Sequence, residues 1–156
     1  MLKITILALG DKMPAWVIEC SREYTKRLGE WARVQVVEIP LQKRSKSHGL
    51  ARILEKEASQ LLAAIPADAH VVALDVEGSA FSSSALAQHL EKITAHAGHL
   101  CFLIGGPEGL APEVLARAQS RWSLSALTLP HPLVRVVLTE ALYRAFSLLN
   151  NHPYHK

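Results

Sequence analysis

Two cysteines in 156 residues, Cys20 and Cys101, leave no disulfide framework to build on, and their spacing fits neither a metal site nor a redox motif. Cys101 sits in an apolar run, residues 99–104, where a reduced core thiol is the simplest reading. Such sparing use suits the cytosol. No apolar stretch is long enough to span a bilayer. Residues 1–10 alternate like a strand and lack the charged, apolar and small-residue succession of a signal peptide. The expectation is a cytoplasmic protein without membrane attachment. No G-x-G-x-x-G is present and no glycine turn ends in Gly-Lys-Ser/Thr, which disfavours dinucleotide and P-loop binding. Ser84 and Cys101 lack the elbow motif and the partner base of a hydrolase nucleophile. His152 and His155 have no third ligand at convincing spacing, so no metal is expected. Linkers, repeats and low-complexity blocks are missing too, so residues 1–156 read as one domain.

What is present is an ordinary globular balance: 49% hydrophobic residues, 20% charged, and a net charge of +3. The mild positive charge is compatible with nucleic acid without deciding for it. Strand and helix patterns alternate along the chain. Strands are expected at residues 3–9, 33–39, 70–74, 99–104 and 122–129. Helices are expected from Pro14 at a first-turn position to residue 28, then at 50–65, from an N-cap among Ser82, Ser83 and Ser84 to 97, and at 112–119 and 133–149. In the first helix Trp16, Val17, Cys20, Tyr24 and Leu28 recur at helical spacing. Repeated strand–helix units imply an α/β fold, a mostly parallel sheet flanked by helices.

In such a sheet ligands bind beyond the carboxyl ends of the strands. Three ends stand out: Leu74-Asp75, the turn Gly105-Gly106-Pro107-Glu108-Gly109, and the low-charge stretch through Thr128 to Pro130. The glycines permit close backbone approach, although a plain tight turn is the alternative. The stretch Ser123 to Pro130 reads either as core strand or as an apolar wall whose backbone groups could meet a neutral adenine. On the last helix, Arg135 and Arg144 do not share one stripe, and Glu140 stands i,i+4 from Arg144, the spacing of a surface ion pair. The tail His152-Pro153-Tyr154-His155 would ordinarily fray, yet it is dense in groups that stack on bases or handle protons. Lys43, Arg44, Lys46 and His48 form a basic loop, either solvated or in contact with phosphate.

Together the stretches 103–110, 122–135 and 151–155, with residues 12–16 and the Lys43-Arg44 loop, resemble the RlmH family, that of the ribosomal RNA large-subunit methyltransferase H, a small group within the SPOUT superfamily. The likeness covers essentially the whole chain. It implies a SPOUT-type fold with a C-terminal deep trefoil knot, a homodimer whose site is completed across the interface, and S-adenosyl-L-methionine as cofactor. It further implies methylation of N3 of a pseudouridine in helix 69 of 23S rRNA within the assembled ribosome. By motif, the cofactor loops are Leu74, Gly105, Gly106, Ser125, Ala126, Leu127, Thr128, Leu129 and Pro130. The catalytic candidates are Arg144, Tyr154 and His155, with Glu140 a weaker match.

That chemistry requires N3 to lose a proton before in-line methyl transfer. Arg144 suits stabilisation of the resulting anion; His155 or Tyr154 could stack on the base or handle the proton. The apolar side of the last helix, with Leu133, Val136, Val137, Leu142 and Phe146, suits either a dimer seam or core. A non-catalytic RNA-binding module and an unrelated enzyme of small metabolites are the competing readings.

Overall fold

The computed structural model of the chain describes residues 1–44 and 49–155; Lys46 and His48 of the basic loop lie outside the described residues. Five strands, β1 (Leu2–Leu9), β2 (Ala32–Ile39), β3 (His70–Ala80), β4 (His99–Ile104) and β5 (Ser120–Ser123), form one sheet in the order β2-β1-β4-β3-β5. Every neighbouring pair is parallel. The helices between them are α1 (Ala15–Leu28), α2 (Leu50–Ala64), α3 (Ser83–Thr94) and α4 (Pro112–Arg117), and α5 (His131–Leu149) follows β5. None is long and apolar enough to cross a membrane.

The central strands are apolar on both faces, as a sheet covered on both sides demands. Along β1, Ile4, Ile6 and Ala8 join one core with α1, α3 and α5, while Leu7 and Leu9 join a second with α2 and α4. On β4, Leu100, Phe102 and Ile104 face the first core, and Cys101 and Leu103 the second. The strand period of two is thus read out on each side, with Thr5 as a buried polar exception bonded to His99.

Several elements depart from the sequence pattern. Pro14 precedes α1 as its N-cap, with φ −55° and ψ 149°, rather than opening the first turn. Ser82 caps α3 by accepting the Ala85 N–H at 3.1 Å. That helix stops at Thr94, and α4 stops at Arg117, each a little short of expectation. β3 runs past Asp75 to Ala80, because β5 continues to pair with it across a register shift between Leu74 and Ser79. Gly78 is what lets the strands close there: a Cβ would sit 2.7 Å from the Arg121 backbone. β5 itself is Ser120–Ser123, not residues 122–129; the apolar residues after it leave the sheet as a loop. Trp16, at helical spacing with buried Val17, is instead 55% exposed.

Two of the places where neighbouring strands send their connections to opposite faces flank β4. β4 leads to α4 and β3 to α3, on different cores; β1 leads to α1, again opposite α4. Crevices are expected at the carboxyl ends of both pairs.

Candidate active site

A cavity of about 680 Å³ opens at the carboxyl ends of β4 and β5, where β3 parts from β4. The last β3–β4 partners are Ala73 and Leu103, and beyond them the two strands diverge. Leu74 and Asp75 form one wall, Ile104, Gly105 and Gly106 a second, and the loop after β5 a third. Thus Leu74, Gly105, Gly106, Ser125, Leu127, Thr128, Leu129 and Pro130 all line one space. Ala126 belongs to the same loop but is not among the lining residues.

The walls owe their shape to local chemistry. Gly105 lies against Gly109 so closely that a Cβ would come 2.6 Å from the Gly109 carbonyl carbon. Gly109 has φ 79°, a left-handed conformation that glycine adopts without strain. In the third wall, the Leu127 N–H donates to Ser125 Oγ at 2.9 Å and Ser123 Oγ donates to the Ser125 carbonyl at 2.9 Å, folding the loop on itself. Leu127 is 75% exposed, an apolar residue left at the cavity mouth. Trp122 is buried beneath the cavity with its indole N–H unpartnered among the described residues, packed between Phe81, His89 and Phe102.

His131, at the start of α5, also lines the cavity, and sequence reasoning missed it. Burial, with the Arg135 charge adding, lowers its pKa below the usual imidazole range, against a smaller opposing pull from Glu108. It lines a second space as well, of about 590 Å³, with Gly10, Lys12, Lys43 and Arg44, at the β1–β4 crevice.

The catalytic candidates gather elsewhere in the same subunit. Arg144 Nη2 lies 2.8 Å from Glu140 Oε1, so the i,i+4 pair forms. The tail is not frayed. Asn151, with φ 53°, turns the chain back, and the His152 N–H reaches the Ser147 carbonyl at 2.9 Å. Asparagine is among the few residues that accept this conformation readily. A short 3₁₀ turn, Pro153–His155, then seats Tyr154 with its ring 4.5 Å from that of Tyr143. The Tyr154 hydroxyl donates to Glu140 at 3.1 Å and meets the Tyr24 hydroxyl at 3.1 Å. The Arg144 guanidinium lies 5.1 Å from the Tyr154 ring centroid, a cation–π contact.

Burial first, then the Tyr24 contact and the Glu140 carboxylate, push the Tyr154 phenol well above its usual pKa. His155 is half-buried, and its Nδ1 is buried without a hydrogen-bond partner among the described residues. Tyr24, on α1, was read from its spacing as an apolar-face residue; its polar role was invisible because its partners are over a hundred residues away.

Arg144 lines a smaller pocket of about 130 Å³ that shares Trp122, Ser123 and Leu124 with the large cavity. Tyr154 and His155 line neither space. The cofactor candidates therefore cluster, and the catalytic candidates form a separate group beside them. Of the proposed seam on α5, Leu142 and Phe146 are core, facing inward with Leu138, while Leu133, Val136 and Val137 are half-buried. Arg44 is half-buried, and its guanidinium pairs with buried Glu57 and with Glu108 on the turn.

Comparison with known proteins bears on this geometry. The family profile described as "Predicted SPOUT methyltransferase" matches residues 2–155. Ribosomal RNA large subunit methyltransferase H of Legionella pneumophila (strain Paris) is 56% identical over 156 residues, 100% of both chains. The protein of the same name from Ectopseudomonas mendocina (strain ymp) is 46% identical over 155 residues, 99% of this chain and 100% of its own. A probable methylase family protein from Haemophilus influenzae Rd KW20, of known structure, superposes with a TM-score of 0.58 over 98% of this chain and 70% of its own. At 16% identity that last likeness is one of fold alone.

Proposed function

This chain belongs to the SPOUT methyltransferases, among the relatives of ribosomal RNA large subunit methyltransferase H, and from that premise we propose that it methylates 23S rRNA at N3 of a pseudouridine in helix 69, on the assembled ribosome, using S-adenosyl-L-methionine. It works in the cytoplasm as a knotted homodimer, with residues 1–156 as one catalytic domain. The full-length likeness to proteins named for ribosomal RNA methylation carries this reading.

The cavity fits the cofactor. Its volume, about 680 Å³, falls within the roughly 300–1,000 Å³ usual for small-molecule sites. Its lining is largely apolar, and side-chain-free glycines at 105 and 106 bring backbone groups to its edge. The loop of residues 125–130 offers backbone N–H and C=O groups suited to a neutral adenine. When bound, S-adenosylmethionine supplies an activated methyl group on a sulfonium.

The remaining work falls to side chains. Arg144 stabilises the N3 anion, as fixed positive charge stabilises an oxyanion. Tyr154, a phenol held above its ordinary pKa, stays protonated near neutrality, so it donates or stacks rather than acting as base. His155 is the candidate left to stack on the base or take the N3 proton. These residues do not line the large cavity of their own subunit, which supports their serving the partner's cavity, with half-buried Leu133, Val136 and Val137 at the dimer seam. Incubating ribosomes from a deletion strain with the protein and labelled cofactor tests this. One new methyl on one pseudouridine of 23S rRNA is expected; unlabelled rRNA rejects the reading.

A further inference from the structure

The glycine turn beside the cavity is held from outside by a side chain that the sequence assigned to a basic loop. We propose that Arg44 is a positioning residue, a strut between buried Glu57 on α2 and Glu108 in the turn, that presets the turn and so sets how tightly the cavity holds its cofactor. This rests on the reading of that cavity as the S-adenosylmethionine site.

Glu57 is 2% exposed, so its carboxylate must be satisfied within the protein. It accepts the Gln42 N–H at 2.7 Å and Arg44 Nη1 and Nη2 at 2.6 and 3.0 Å. The guanidinium fork has a second edge. From it, Nη2 and Nε reach the Glu108 carboxylate at 2.7 and 3.3 Å. Arg44 Nη1 also donates to the Gln42 carbonyl at 2.7 Å, which fixes the fork to its own segment. All three guanidinium nitrogens are thereby engaged within the protein, and two carboxylates outweigh the one positive charge. Phosphate contact by this side chain is poorly served by such an arrangement.

The fold does not need the Glu108 half of this bridge. Glu57 and the Gln42 backbone already satisfy Arg44 and each other, and Glu108 is on an exposed turn. The lining of the cavity includes Pro107 and Gly109 but not Glu108 between them. What the contact fixes is the turn itself. Within the turn, Gly109 N–H donates to the Gly106 carbonyl at 3.0 Å, and glycines at 105, 106 and 109 contribute no side chains to hold it. The segment bearing Arg44 abuts it directly: a Cβ on Gly106 would come 3.0 Å from Leu41 Cδ2. Glycine-rich backbone has more freedom to lose than any other. Ordering it before the ligand arrives removes that cost from binding.

The test is calorimetry of S-adenosylmethionine binding, with thermal unfolding as a control, on the full chain and on Arg44→Ala, Arg44→Lys, Glu108→Ala and the double variant Arg44→Ala/Glu108→Ala. Loss of a charge-assisted pair on an otherwise intact turn predicts dissociation constants raised about tenfold in Glu108→Ala and Arg44→Ala. Arg44→Lys, which keeps the charge and loses the fork, falls between. The double variant binds no worse than Arg44→Ala, since the two residues act through one contact. Turnover at saturating cofactor stays within about twofold of the parent, because the strut touches neither reacting atom. Should Arg44→Ala fail to fold, having stranded Glu57, Glu108→Ala alone decides. Parental affinity in Glu108→Ala, or additive losses in the double variant, overturns the strut while leaving the cavity assignment standing. A parent chain that binds no S-adenosylmethionine overturns the cavity assignment, and the strut falls with it.

Discussion

Arg135 and Arg144 are on the same helix, nine residues apart, which at roughly 100° per residue is half a turn. They accordingly do opposite things. Arg135 is 4% exposed; its Nη1 lies 2.6 Å from Glu38 Oε2 and its Nη2 donates to the Gly10 carbonyl at 3.2 Å. It ties the start of α5 to the ends of β1 and β2. Arg144 faces outward beside Tyr154. Arg135→Ala is therefore expected to destabilise by about 1–3 kcal/mol, the cost of stranding hydrogen-bonding groups, and a urea titration would show it. Arg144→Ala should unfold at nearly the parental midpoint, bind S-adenosylmethionine normally, and lose most methyl transfer. Near-parental turnover in that variant would remove Arg144 from the catalytic set. The sequence marked both arginines as notable but could not separate them, since a buried pair is defined by a partner 97 residues away. The same limit hid Glu57, whose burial depends on Arg44 reaching it from another element.

Among the elements, β1 and β4 were legible because from Ile4 and from Leu100 onward both faces are buried and every residue is apolar or small enough to comply. β3 and β5 were not. The second half of β3, with Glu77, Gly78 and Ser79, has no strand-like composition and exists through its pairing with β5. Conversely, the apolar residues after Ser123 look like strand and are loop, because their hydrophobic surface lines a cavity rather than the sheet. This seam also carries a pH dependence. His70 on β3 bonds Ser120 of β5 at 2.9 Å, and His89 on α3 stacks on Phe81 at 4.9 Å. Burial lowers both pKa values, helped for His70 by the charge of His89 and for His89 by that of Lys92. In the unfolded chain these imidazoles titrate near the ordinary value, about 6.5. As pH falls through that value the unfolded state takes up protons the folded state refuses, so stability is full above it and declines toward the depressed folded pKa. The melting temperature should drop between pH 7.5 and 5.5, and drop less steeply in His89→Phe. Identical slopes for parent and variant would clear His89 of the effect.

For the whole molecule, the strand order explains where the spaces lie. Reversal of connection faces at β4–β3 and β4–β1 opens two crevices, and the large cavity and its basic neighbour occupy them, meeting at Pro107 and His131. Strand–helix alternation alone led to a parallel sheet; the order β2-β1-β4-β3-β5 depends on crossovers that no local pattern encodes. What one subunit leaves apart, a twofold assembly can join, because each copy offers both halves to the other. That gives a decisive experiment with two inactive variants, Gly105→Val, which blocks the turn, and Arg144→Ala. On the proposed homodimer, each variant alone is expected to be inactive. If Arg144 serves the partner's cavity, a heterodimer has one site with both defects and one with neither. Random pairing puts half the subunits in heterodimers, so co-expressed variants should recover about a quarter of parental activity per subunit. If Arg144 serves its own cavity, every site in the heterodimer carries one defect, and the mixture stays as inactive as its components.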